Sequence, residues 1–410
     1  RAADVVFTLE ELIRKAADKF TEISCIDGNE DFLARRSVHV RGLKALDDHT
    51  VRIRLNRNFK FFLQFLAAEY AAIVPRGYAG LKEAVFRTNP VGTGPFRLAG
   101  KETRTIRSQE FTVFRLERNP DYFNATGNVA GIDFYSANSA ISSACKESFD
   151  ILYITDREIP EMTSKPDYRI INSSYNISNF LVLNPSENSQ MREAKVRQLI
   201  NYAINREDLA RSVFHLKVLP AYSIMPYGLL GQNPYYRLDY SRAEKIRDQL
   251  PPGKIRFTIL TPADGRQRVA EYIARTLARF DIEVQVVPVA DQYDYWSNRI
   301  YHTRASVMLG AIPDYPASYN FLTHLVEPNG YYNVFGFVLP ELKARIDSLP
   351  SSDTLEETRT LTQINAGFEG ESLFIPLYYN SNFVAIRSRI TAVAFNYEGV
   401  IDFSGLEVAE

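Results

Sequence analysis

The sequence predicts an α/β protein built from at least two lobes, on three observations. The chain has 410 residues, which at roughly 100–200 residues per domain makes two to three domains. Its first half mixes hairpin-like strands with helical runs, whereas its second half holds a strand–helix–strand succession. Its hydrophobic fraction of 45% and charged fraction of 24% are those of a folded soluble chain, which excludes disorder, collagen and coiled coil.

The elements follow in order. Residues 1–20 carry Val6, Leu9, Ile13 and Ala16/Ala17 at three- and four-residue spacing, the apolar face of a helix. Residues 38–46 and 50–55 flank the acidic turn Asp47-Asp48-His49, and the second run alternates apolar with charged residues; both features predict a hairpin. Residues 59–73 return to helical spacing. In Asn89-Pro90-Val91-Gly92-Thr93-Gly94-Pro95-Phe96 the two glycines lack the third glycine and the following helix of a dinucleotide loop, so they read as tight-turn residues. A strand over 111–118 stops at Asn119-Pro120-Asp121. Residues 192–204 form an amphipathic helix, after which Asn205 caps a second helix running through Val213. Strands over 255–260 and 282–287 enclose a helix over 265–280 bearing Val269, Ile273, Leu277 and Phe280. Such a βαβ unit crosses right-handed between parallel strands. Further strands are expected over 305–309 and 374–379, the latter after a helix near 355–370. Ligand sites in open α/β sheets favour the carboxyl ends of strands, which directs attention to the loops after Leu260, Val287 and Leu309.

Composition excludes several partners. With 48 basic and 49 acidic residues the formal charge is −1, which gives no electrostatic footprint for nucleic acid or anionic lipid. The 24 Tyr and 26 Phe, against one Trp, can line a cleft for an amphipathic ligand, although most belong to the core. His39, His49, His215, His302 and His324 show no metal-ligand spacing, and HExxH, CxxC, GxSxG and Walker patterns are absent, so no catalytic residue, metal or cofactor is expected. No apolar run reaches the ~18 residues of a membrane span. Cys25 and Cys145 fit either one disulfide or two independent buried thiols. The chain opens on Arg1 within an apparent structural element, from which a processed or truncated chain is expected.

Taken in order, these segments resemble the family 5 extracellular solute-binding proteins, the peptide- and nickel-binding receptors of ABC importers. Ala3-Asp4-Val5-Val6-Phe7-Thr8-Leu9 resembles the family's early helix start, and Lys44-Ala45-Leu46-Asp47-Asp48-His49-Thr50-Val51 its acidic hairpin. Pro90-Val91-Gly92-Thr93-Gly94-Pro95-Phe96 is close to letter-perfect against its most recognisable motif. Leu116-Glu117-Arg118-Asn119-Pro120-Asp121-Tyr122-Phe123 and Val196-Arg197-Gln198-Leu199-Ile200-Asn201-Tyr202-Ala203-Ile204-Asn205-Arg206-Glu207 follow. Gly310-Ala311-Ile312-Pro313-Asp314-Tyr315-Pro316 is similar to the family's aspartate–tyrosine segment, and Ile375-Pro376-Leu377-Tyr378-Tyr379 closes the series. Any one of these is weak; seven in family order are strong.

The resemblance implies a two-lobed periplasmic-binding-protein fold (type II, cluster C-like) with an extra inserted domain. The implied division is a partial extra domain over 1–87, a partial first lobe over 88–180 and 381–410, and a second α/β lobe over 181–380. In the family a segment of about a hundred residues, the size of a small domain, precedes the helix that opens this chain. The resemblance therefore implies that this segment is missing here, and that an N-terminal fragment could complete the first lobe. It further implies a non-enzymatic receptor, periplasmic or an extracellular lipoprotein, that holds a short peptide or similar small ligand and hands it to an ABC permease. Asp314 is the implied partner of the peptide's α-ammonium; otherwise it caps the turn into a following helix. Tyr315 is a cleft ring or core. The family's tryptophan before that aspartate is Ala311 here, next to Gly310, and a positively charged position of some members falls at Met308. Trp296 and Arg299 could compensate with a stacking ring and a partner for a ligand carboxylate, or serve as packing and solvated surface. A nickel chelate, an oligosaccharide, or a role as the sensory domain of a regulator are the alternatives that the same fold leaves open.

Overall fold

The computed structural model describes residues 1–17, 20–137, 139–173, 176–232 and 239–409. The chain divides into two compact units, Arg1–Ser173 with Asn382–Glu410, and Ser174–Ser381. Asp18 and Lys19, at the end of the expected first helix, and Ser174 and Tyr175, in the stretch assigned above to the first lobe, lie outside the described residues.

The first unit begins with α1 (Ala2–Ala16), which buries Leu9 and Ile13 one turn apart. The hairpin of β1 (Leu43–Ala45) and β2 (Val51–Ile53) is antiparallel. Its acidic turn closes through Asp47, whose Oδ1 accepts from the backbone N–H groups of His49 and Thr50 at 2.8 Å each. The first expected strand is shorter than its apolar pattern, because Val38 stands 81% exposed outside it. The helix expected over 59–73 is broken in two, at Phe62–Leu66 and Glu69–Ala71, because Ala68 between them is extended. Rings from several directions then pack together, with Phe65 5.4 Å from Tyr70 and Phe20 4.2 Å from Tyr70. The long hairpin of β3 (Phe96–Ile106) and β4 (Gln109–Arg118) reverses at Arg107 and Ser108, which both adopt positive φ, 45° and 71°. That twist matches the twist of the flanking strands. Antiparallel to β4 lies β5 (Gly131–Ser136). The strands β6 (Ile151–Ile154) and β7 (Tyr168–Asn172) then precede the passage into the second unit.

The second unit is organised by a six-stranded mixed sheet. Its strands are β8 (Ile177–Val182), β9 (Leu219–Pro220), β10 (Ile255–Pro262), β11 (Ile282–Val289), β12 (Ser306–Ala311) and β13 (Phe374–Asn380), in spatial order β11-β10-β12-β8-β13-β9. The expected βαβ unit is present: β10 pairs in parallel with β11 over its whole length, and a helix over Gly265–Leu277 connects them. Against the sheet pack helices that we number α2 (Ala194–Ala203), α3 (Arg206–Phe214), α4 (Gly265–Leu277), α5 (Ser318–Val326) and α6 (Thr354–Glu371). The cap at Asn205 is as expected, its side chain accepting from the Asp208 N–H. Val196, Leu199, Ile200 and Ala203 of α2 meet Val269, Ile273 and Leu277 of α4 and Ile259 of β10 in one buried cluster. At a few kcal/mol for each large aliphatic side chain, that cluster holds the helices on the sheet and fixes which strand ends face outward.

The chain returns to the first unit through β14 (Phe383–Arg387), β15 (Ile390–Phe395) and β16 (Ile401–Val408). Strand β14 inserts between β6 and β7, antiparallel to both. It is buried on both faces: Ala385 joins Phe111, Val113, Cys145 and Met162, while Val384 and Ile386 join Ile390, Ile401 and Leu406. A cavity of about 850 Å³ opens in this unit between β5, β6 and β16, lined by Ile132, Phe134, Leu152, Phe403 and Leu406 among others. Cys25 and Cys145 are both buried and free. Their thiols donate to the carbonyls of Glu22 (2.8 Å) and Ile106 (3.2 Å), and burial pushes the Cys25 thiol up to about 11, so Cys25 is not primed as a nucleophile.

Candidate functional site

The site residues read from the sequence all belong to the second unit, and most of them gather where β10 and β12 end. This is the carboxyl edge of the parallel strands, where α/β sheets hold ligands. Strand β10 ends at Pro262, and Asp264 caps α4 by accepting from the Arg266 N–H at 2.8 Å. The same carboxylate receives the Arg266 guanidinium in a two-pronged contact, Nε to Oδ1 at 3.1 Å and Nη2 to Oδ2 at 2.5 Å. Burial by itself would lower the pKa of Arg266, but the Asp264 hydrogen bonds and charge reverse the shift and hold it raised. Opposite Asp264, the guanidinium carbon lies 5.1 Å from the ring centre of Trp296, a cation–π distance.

Trp296 is presented by a π-helical turn, Tyr295–Arg299. The turn is anchored by Tyr295, which is fully buried and donates its hydroxyl to the carbonyl of Met308 at 2.6 Å. Its position therefore depends on β12. Gly310 stands opposite Asn179 of β8 in the antiparallel ladder. A Cβ there would sit 3.0 Å from Asn179 Oδ1 and 3.7 Å from Arg266 Nη1, so glycine keeps room between these polar groups. Asn179 in turn donates to the side chain of Asn380, at the end of β13. Ala311, opposite Ser178, is 2% exposed and forms part of the wall.

Asp314 follows in the loop between β12 and α5. The N-cap of α5 is Ala317, without a side-chain bond, so Asp314 does not cap that helix. Instead it makes a reciprocal pair with Asn320: the Asp314 N–H donates to Asn320 Oδ1 at 2.8 Å, and Asn320 Nδ2 donates to Asp314 Oδ2 at 3.2 Å. His324, one turn further along α5, brings Nε2 to 3.3 Å from the same Oδ2. Burial alone would raise the Asp314 carboxyl, but the hydrogen bond and charge of His324, helped by Asn320, outweigh it and hold the group below its ordinary value. Among the described residues no hydrogen bond reaches Oδ1, and the side chain remains 38% exposed. The arrangement is a carboxylate with one oxygen held by Asn320 and His324 and, among the described residues, no hydrogen bond on the other. Tyr315 is 1% exposed. Arg299 does not join Arg266: it is 59% exposed, pairs with Asp294 at 2.8 Å, and with Asn298 and His302 lines a cleft of about 340 Å³.

Sequence reasoning missed Asp264, Arg266, Asn179, Asn380, Asn320 and His324. One of them left a readable mark. A basic residue in the first turn of a helix opposes the helix dipole, and Arg266 does so two residues after a capping aspartate. Asn179, Asn380 and Asn320 are brought in by strand register and helix phase, which no local pattern announces.

Comparison with known proteins follows this geometry. Residues 1–333 match the family profile described as bacterial extracellular solute-binding proteins, family 5 middle. The chain is 24% identical over 322 residues to the probable ABC transporter periplasmic-binding protein SapA of Escherichia coli strain K12, covering 71% of this chain and 55% of that protein. It therefore spans about half the length of that relative. Among solved structures, the murein tripeptide binding protein MppA of Escherichia coli superposes with a TM-score of 0.78 at 16% identity, over 100% of this chain and 84% of the other. DppA of Helicobacter pylori, in complex with the peptide STSA, superposes with a TM-score of 0.76 at 19% identity, over 99% and 81%. At these identities the structures establish the fold. Among the described residues no helix is long and apolar enough to cross a membrane.

Proposed function

This chain belongs to the bacterial extracellular solute-binding proteins of family 5, and from that membership we propose that it is the substrate-binding receptor of an ABC importer, taking short peptides with a free N-terminus. The observation that carries the ligand assignment is Asp314, with Oδ2 held by Asn320 and His324 and no hydrogen bond to Oδ1 among the described residues. A partly desolvated carboxylate facing a primary ammonium forms a charge-assisted contact, and acetylation of the ligand removes the charge. The rest of the peptide lies extended, its backbone paired as an added strand and its side chains in hydrated pockets, so that binding depends little on side-chain identity. Arg266, stacked on Trp296 beside Gly310, offers a fixed cationic wall on the same sheet edge.

In this reading, residues 1–87 form an extra domain, 88–180 with 381–410 a first lobe, and 181–380 the second lobe. The chain passes between its two compact units twice, at 173–174 and at 381–382. Two such passages suit a hinge whose closed form the ligand favours. The closed receptor then delivers its ligand to a membrane permease, from a periplasmic or extracellular position. The test is calorimetric titration of tri-alanine against N-acetyl-tri-alanine. The expected result is tighter binding of the free peptide, with Asp314→Asn weakening it by about 10- to 100-fold and leaving the acetylated peptide unchanged. Equal binding of both peptides by the unmodified protein would rule the ligand assignment out.

A further inference from the structure

Asn179 holds an acceptor that the chain itself leaves unused. The residue is 4% exposed within β8, and its Nδ2 donates to Asn380 Oδ1. That bond fixes which way the amide faces and turns Oδ1 toward Gly310, where it would lie 3.0 Å from a Cβ. Among the described residues no hydrogen bond reaches this Oδ1. Buried polar atoms are nearly always paired, so an idle acceptor inside a sheet calls for a partner. Arg266 brings the complementary group to the same gap. Its Nε and Nη2 are taken by Asp264, and its guanidinium carbon lies 5.1 Å from the Trp296 ring centre. The remaining nitrogen, Nη1, would lie 3.7 Å from the Gly310 Cβ position and has no hydrogen bond among the described residues. An unused donor and an unused acceptor thus meet over a glycine, and any Cβ at position 310 would occupy the space between them. The charge of Arg266 is offset by the Asp264 carboxylate on its other edge, so the pair suits a neutral carbonyl better than a carboxylate.

We propose that Arg266 and Asn179 form a backbone-reading subsite that takes one internal residue of an extended peptide. In an extended chain the N–H and C=O of one residue point to the same side, as they do toward a neighbouring strand. At this subsite that N–H donates to Asn179 Oδ1, and that C=O accepts from Arg266 Nη1. Two side chains stand in for a strand edge. The side chain of an extended residue projects out of the plane of these bonds. The subsite therefore fixes the register of the ligand without reading its side chains, and it selects a peptide N–H over an ester. This inference rests on the peptide reading given above and adds the residues that recognise the ligand backbone away from Asp314.

The experiment is calorimetric titration of tri-alanine against its depsipeptide, in which the N–H of the internal residue is replaced by an ester oxygen. Both ligands keep the ammonium and the carboxylate, so the charged ends are held constant. The unmodified protein is expected to bind the ester about tenfold more weakly. Asn179→Ala should reduce that difference to less than about threefold. Gly310→Ala, whose Cβ fills the gap, should do the same, and gives a second variant if Asn179→Ala does not fold. Equal binding of peptide and ester by the unmodified protein overturns the subsite, as does a difference that survives in the variants. A preference for tri-alanine over its C-terminal amide that disappears in Arg266→Gln would place a carboxylate at Nη1 and overturn the assignment as well. Failure of the Asp314 reading shows separately, as equal binding of tri-alanine and N-acetyl-tri-alanine, which both keep the internal N–H. Absence of any tri-alanine binding overturns both.

Discussion

Among the described residues Arg206 is the largest fully buried side chain of the second unit, 1% exposed, and its guanidinium is held by carbonyl groups. It donates to Pro376 O (2.8 Å), to Asn201 O (3.1 Å) and Ile204 O (2.9 Å) at the end of α2, and to Asn201 Oδ1 (2.6 Å). The Pro376 bond is informative: proline supplies no ladder N–H, and the register of β13 shifts between Pro376 and Tyr378. Arg206 thus closes a helix end and a strand irregularity together. Arg206→Met should strand these acceptors and destabilise the protein by about 3 kcal/mol or more, read as a lower urea midpoint. A second residue contributes to the acid sensitivity of the first unit. Asp27 receives Arg54 Nε at 2.6 Å and Arg41 Nη2 at 2.5 Å, and these contacts lower its carboxyl to about 2. Because the folded value lies below the unfolded one, the stabilisation is present above roughly pH 4 and is lost as the pH falls through the folded value. Asp27→Asn should therefore melt below the unmodified protein at pH 6, and the gap should narrow as the pH falls toward 2.

At the scale of elements, the parallel βαβ unit was legible because two signals agree there: strand runs of buried aliphatics and a 3.6-residue apolar face on α4. The broken helix over 59–73 was not, since its aromatic residues satisfy helical spacing while packing as a ring cluster. The outer half of β3 was missed because residues 99–106 are mostly polar and exposed, so only the partner strand β4 defines them. The candidate site was half legible: Asp314 came from a motif, whereas its partners come from the phase of α5, which carries Asn320 and His324 one turn apart on one face. The fit of that helix to its loop is testable at Gly330, where a Cβ would lie 2.4 Å from the His324 carbonyl oxygen. Gly330→Ala must displace backbone, and should lower the melting temperature and weaken tri-alanine binding together.

On the scale of the molecule, each compact unit holds buried clusters of its own among the described residues. Unfolding is therefore expected to depart from a single two-state transition, with a calorimetric enthalpy exceeding the van't Hoff value. Tri-alanine at saturating concentration should raise the transition that reports on Tyr332 and α5. One transition with matching enthalpies would show the units to unfold as one.

The threading of β14 between β6 and β7 bears on how the protein is made. During synthesis β6 and β7 emerge with a gap between them, and the strand that fills it is encoded only after the whole of the second unit. The ribosome must add roughly two hundred residues, some tens of seconds at the slower elongation rates, before that sheet can be joined. For this interval Leu152, Ile170 and Ile171 have no β14 to cover them, whereas the second unit already possesses every strand of its own sheet. The later-encoded half of the protein is thus free to fold first, and the earlier-encoded half is the one whose nascent form most needs protection from aggregation.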